Sequence, residues 1–120
     1  MNRASRLFSK VRQTKRIKMK AKDIRNKFGD NYVVDDYTFI MGIDLRFTTH
    51  FAKRFKNLRV LETCTGAGFT TISLARTAKH VSTVEIEKSH QIQAVSNIEK
   101  AGLLILQRHF FCRLLRIDAI

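Results

Sequence analysis

Residues 58–103 predict an α/β domain whose sheet is doubly wound and whose strands run parallel. Two short apolar runs of strand length, "LRVLE" and "VSTVEI", each lead into a segment of helical period. A glycine turn, Gly66-Ala67-Gly68, separates the first strand from the first helix, and an acid closes each strand, Glu62 in the first and Glu85 in the second. Strand, glycine turn, helix, strand, helix is how a parallel sheet opens, because a crossover helix is what returns the chain from the end of one strand to the start of the next.

The chain has 120 residues, enough for one small domain, and its formal net charge of +13 is unevenly spread. From Met1 to Lys27, eleven Lys or Arg residues face the single acid Asp23. Leu7, Phe8, Val11, Ile17 and Ile24 are scattered among these charges, so residues 1–30 read as a basic helical or disordered segment ahead of a domain over residues 31–120. Dense positive charge recruits polyanions whatever their sequence. RNA contact through the Lys and Arg residues of 1–27 therefore stands beside the plainer reading of a solvated tail.

Within the domain, Thr48 or Thr49 is placed to cap a short helix in which Phe47, Phe51 and Phe55 recur every fourth residue, a stripe read as core rather than as a base-stacking platform. After "LRVLE", residues 69–78 form the first crossover helix with Ile72, Ala75 and Ala78 inward. The second helix starts near Ser89, sets Ile92, Val95 and Ile98 on one face, and stops at Gly102. The following "LLILQRHFFCRLLRIDAI" fits helical spacing through Leu106, Phe110, Leu114 and Ile117.

Cys64 and Cys112 have neither the pairing pattern of a disulfide framework nor zinc-ligand spacing, which points to a reducing, cytoplasmic compartment. The four histidines show no ligand spacing, so no metal is inferred, and no apolar run approaches the ~18 residues of a membrane span. The N-terminus lacks the apolar core of a secretory signal, although "MNRASRLFSKVRQTKR" is Arg-rich and acid-free as a mitochondrial transit peptide is.

A glycine turn between strand and helix lets a ligand approach the backbone without meeting a Cβ. Dinucleotides and S-adenosylmethionine both use this device. The dinucleotide fingerprint needs a third glycine, and Thr71 stands in its place. Glu62, four residues before Gly66, is placed to attract a cationic group, and Glu85, nineteen residues after it, to accept both hydroxyls of a ribose. A ligand with an ammonium, a sulfonium, a free ribose and no phosphate suits these acids better than a pyrophosphate does.

With these residues, the chain resembles the class I S-adenosylmethionine-dependent methyltransferases. "VLETCTGAGFTT" looks like their first motif, and "VSTVEIEKSHQIQAVSNIEKAG" like their second strand and the helix after it. The resemblance implies a Rossmann-like fold and an S-adenosyl-L-methionine site made of Glu62, Thr63, Gly66, Ala67, Gly68, Glu85 and Ile86, with Glu62 near the methionine amino end and Glu85 on the ribose. Within that class, "ETCTGAGFTTISLA" together with Asn97 and Gly102 is similar to the RNA cap guanine-N2 methyltransferase family, that of trimethylguanosine synthase. The sequence departs from it in having Thr65 where the family has a cysteine, with Cys64 one place earlier, and Phe69-Thr70 for Gly-Asn.

Such a domain needs further strands after Gly102 and a catalytic loop that is commonly proline-rich, whereas the chain has no proline and only eighteen residues follow that glycine. The expectation is an incomplete, truncated or frameshifted methyltransferase acting on RNA, inactive alone; Asp118 could imitate an adenine-binding acid, but the helical spacing of the residues before it fits at least as well. The chain would self-associate through an uncovered sheet edge and an apolar tail. The alternatives are a fragment of a dinucleotide-binding oxidoreductase and a non-catalytic basic RNA-binding module.

Overall fold

The computed structural model describes residues 19–109 and 114–118. Most of the basic N-terminal segment, residues 1–18, and the position of Phe110 in the expected C-terminal helix lie outside them. The described chain is α/β, with three short helices ahead of the first strand. Helix α1 (Ala21–Phe28) stops at Gly29, whose φ of 96° is left-handed and whose N–H reaches Arg25 O. Helix α2 (Asp36–Met41) is capped reciprocally, the Thr38 N–H donating to Asp35 and the Thr38 hydroxyl accepting from the Asp35 N–H. Helix α3 (Leu45–Arg54) is capped by Asp44 rather than by Thr48 or Thr49; an acid one residue before the first turn intercepts its free N–H groups, and Thr48 instead bonds back to Leu45 O inside the helix. Of the phenylalanine stripe, Phe51 and Phe55 pack on the core and Phe47 is exposed.

Then follow β1 (Arg59–Thr63), α4 (Phe69–Ala75), β2 (His80–Val84), α5 (Lys88–Lys100), β3 (Leu104–His109) and β4 (Leu114–Asp118). The sheet is mixed, in the order β1-β2-β4-β3. The expected parallel arrangement holds for β1 and β2, paired from Arg59 beside His80 to Thr63 beside Val84. It fails at β4, which is antiparallel to both β2 and β3. The connection from β3 to β4 spans residues 110–113, far too short for a crossover, so the chain folds back and fills the slot beside β2. The expected C-terminal helix is therefore a strand pair. Leu115 and Ile117 satisfy a two-residue alternation as readily as Leu114 and Ile117 satisfy a helical one, and the helix reading had only spacing to support it.

Val81, Thr83, Leu115 and Ile117 point from the sheet into a core shared with Ile72 and Ala75 of α4 and Ala94 and Ile98 of α5. Alternate residues emerge on the opposite face, where Leu61 is 69% and Leu104 47% exposed. Before β1, Phe28 stacks on Phe69, ring centroids 3.6 Å apart, and Tyr32 joins them, which fixes the helical N-terminal part against α4. Each such aliphatic or aromatic side chain contributes about 1.5–3 kcal/mol through burial.

Candidate functional site

Parallel pairing brings the C-terminal ends of β1 and β2 to one edge, so the turn after β1 and the residues after β2 meet. The Thr65 N–H donates to Val84 O at 3.1 Å, and the Gly68 N–H to Thr65 O at 3.0 Å, which folds the turn over the end of β2. Cys64, Gly66 and Gly68 are left-handed, with φ of 63°, 58° and 93°.

The two glycines do different work. A Cβ built on Gly66 meets nothing within 4 Å, so this glycine faces open space. A Cβ on Gly68 falls 3.3 Å from the Ala94 Cα, so this glycine lets α5 approach the turn.

Glu85, 7% exposed, closes the turn electrostatically. Its Oε1 accepts the Gly66 N–H at 2.7 Å and its Oε2 the Glu87 N–H at 3.0 Å. The Nδ1 of His90 is 3.9 Å from Oε1, and the Tyr37 ring stacks on His90 with centroids 5.2 Å apart. Each carboxylate oxygen retains an acceptor position beyond the amide that it holds.

Glu62 lies beneath the turn, on the helix side of the sheet. It accepts hydrogen bonds from the hydroxyls of Thr71 and Thr83, the latter at 2.7 Å. Since the Thr83 proton goes to Glu62, the 2.6 Å contact between Thr65 and Thr83 has Thr65 as its donor. Burial pushes the Glu62 carboxyl above the usual carboxylate range against those two hydrogen bonds, and the charge on Glu85 adds to the rise.

Among the residues that the sequence singled out, Gly66 and Glu85 are joined directly. Thr63 and Ile86, the latter 84% exposed, stand at the ends of their strands facing solvent. Ala67 and Gly68 turn toward α5, and Glu62, half-buried, is held by the Thr71 and Thr83 hydroxyls. Asp118 lies at the other end of the sheet, its carboxylate 2.7 Å from the Nδ1 of His80.

Of the face expected for α5, Ile98 is buried and Val95 packs against the core, but Ile92 does not belong to it. Ile92 is 62% exposed, and the buried positions are Gln93, Ala94, Asn97 and Ile98. Asn97 donates from Nδ2 to Ala67 O and Val33 O, both at 2.9 Å, and accepts the Val33 N–H at 2.7 Å. Gln93 donates to Asp35 and accepts the Thr38 hydroxyl. Burial opposes the Asp35 charge, but the Thr38 and Gln93 hydrogen bonds and the nearby His90 outweigh it and hold this carboxyl below its ordinary value. One helix face thus ties the glycine turn to residues 33–38. The signal was a pair of amides four residues apart beside Ala94 and Ile98, which reads as a polar stripe until its partners are known.

A separate cleft of about 390 Å³ lies between α1, α3 and α4, floored by Phe28, Phe69 and Ile72, and shares no residue with the turn. Among the described residues no cluster of His, Cys, Asp and Glu can hold a metal ion, and no helix is long and apolar enough to cross a membrane. Compared with known protein families, curated proteins and solved structures, the chain finds no match.

Proposed function

We propose that the chain binds S-adenosyl-L-methionine and belongs to a methyltransferase of the class I, Rossmann-like and doubly wound type that acts on RNA. The observation that carries this reading is the hydrogen bond from the Gly66 N–H to the Glu85 carboxylate, with open space in front of Gly66. It couples a glycine turn to a strand-end acid, the pair of features that a ribosyl ligand needs. The residues fit the cofactor in kind: Gly66 admits it, Glu85 can accept its ribose hydroxyls, and exposed Ile86 offers an apolar surface beside them.

When bound, the cofactor supplies an activated methyl group on a sulfonium centre. The protein's part is to hold and orient it. Glu62, Glu85 and Glu87 gather around one turn, and this concentration of carboxylates favours a cationic ligand over a pyrophosphate. Thr71, at the position of the missing third glycine, donates its hydroxyl to Glu62, which gives this position a structural role in the turn. RNA as the substrate class is supported by the basic residues 1–27. The α/β core covered on one face fits the opening part of a doubly wound sheet, and self-association through the other face and the β1 edge follows from the same feature.

Isothermal titration calorimetry with S-adenosylhomocysteine and with NAD tests the reading. Heat of binding with the first and none with the second is the expected result. Binding of NAD alone would assign the turn to a dinucleotide, and binding of neither would leave only the RNA-binding reading.

A further inference from the structure

The geometry points to a docking surface for an RNA backbone at the end of the sheet remote from the glycine turn. Residues 55–58 lead from the last turn of α3 into β1, which starts at Arg59, and residues 76–79 lead from α4 into β2. Hydrogen bonds stitch the two connections side by side: the Asn57 N–H donates to Thr77 O at 2.9 Å, the Lys79 N–H to Leu58 O at 2.9 Å, and the Thr77 hydroxyl to Ala52 O at 2.6 Å. Together they present Lys53, Arg54, Lys56, Arg59, Arg76 and Lys79, all exposed. Among the described residues none of the six forms a salt bridge.

No acid occurs in the sequence between Asp44 and Glu62 or between Glu62 and Glu85. Asp118, across β2 from Arg59, is engaged by His80. Six uncompensated cations repel one another and gain most from a partner with closely spaced negative charge that releases counterions on contact, as a phosphodiester backbone does. A membrane surface would require apolar anchors among the cations, and Leu58 is the one exposed large hydrophobic residue in these two connections. A protein partner would draw on an exposed aromatic residue, whereas Phe55 packs against the core.

That the polymer is RNA rests on the reading given above; the surface itself does not involve the cofactor. The five residues of β1 set it about 16 Å from the turn, so it anchors RNA without presenting a nucleotide for reaction.

Fluorescence anisotropy of the full chain with a labelled single-stranded RNA tests the surface. The triple variant Lys53→Gln, Lys56→Gln, Lys79→Gln is compared with Lys88→Gln, Lys100→Gln, Arg116→Gln, which removes the same charge from exposed positions outside both this surface and residues 1–27. The first triple should weaken binding at least tenfold near 0.1 M salt and flatten the slope of log affinity against log salt by about 2, at ~0.7 per phosphate contact. The second should cost less than a third of that. Equal losses in the two triples would show that net charge alone governs binding and would overturn the proposal. So would unchanged affinity in the first triple, or loss of phosphatidylserine-vesicle binding with RNA affinity intact. Arg54→Gln with Arg76→Gln provides the same readout if the triple fails to fold. Titration of both variants with S-adenosylhomocysteine separates failure of this surface from failure of the cofactor reading.

Discussion

Glu62 and Glu85 end neighbouring strands, yet their surroundings give them different work. Glu85, the more buried of the two, accepts backbone N–H groups of the turn, while Glu62, half-buried, accepts the hydroxyls of Thr71 and Thr83. A carboxyl whose pKa is raised in the folded state binds a proton more tightly there than in the unfolded chain. Its contribution to stability is complete below the ordinary carboxylate value and is lost as pH rises through the raised one. Ionised Glu62 therefore costs stability at neutral pH. Gln at this position keeps an acceptor for Thr71 and Thr83 and removes the charge. Glu62→Gln should stabilise the fold at pH 7 by on the order of 1 kcal/mol, read as a higher thermal midpoint, and give no gain below about pH 4. Melting curves at the two pH values check this, and a lower midpoint at pH 7 would show that the ionised group is stabilising.

Helix α5 is the element that binds the turn to what precedes β1. Asn97, fully buried, satisfies two carbonyls and one N–H from two separate segments. Truncation would leave the Ala67 carbonyl buried and unpaired and release the part-buried groups of Val33, so Asn97→Ala should lose about 1–3 kcal/mol in chemical denaturation, whereas Ile92→Ala on the exposed face should lose less than about 0.5 kcal/mol. A reversal of that order would place the inner face of α5 where periodicity alone put it. Strands β1 and β2, the turn and α4 were legible because strand-length apolar runs and two glycines left few alternatives. The inner face of α5 was only partly so, since the polar Gln93 and Asn97 are satisfied there by partners distant in sequence, at residues 33–38 and at Ala67. The β3–β4 pair was missed because its apolar spacing suits both periods and only a position beside β2 selects the strand. Among the site residues, Gly66 and Glu85 could be found from their spacing, whereas the inward turn of Glu62 depended on Thr71 and Thr83, which carry no signal alone.

At the scale of the whole molecule, the turn end gathers Glu62, Glu85 and Glu87, and the opposite end gathers exposed cations. One sheet face is covered by α4 and α5, while Leu61 and Leu104 remain open on the other and β1 is an edge strand. Such an edge and face promote pairing between copies. Sedimentation velocity should show species heavier than the 13.9 kDa monomer at rising concentration, and Leu61→Lys should shift the population back toward it. A monomer at all concentrations would show that this face is tolerated in water. The cofactor reading is tested most directly by calorimetric titration of S-adenosylhomocysteine into the wild-type chain and Glu85→Ala. Binding by the wild type that is weakened by about 1.5–3 kcal/mol in the variant is the predicted result, through loss of charge-assisted bonds to the ribose. Equal affinity in the two proteins, or no binding by either, would contradict the assignment of the turn and its acid to the cofactor.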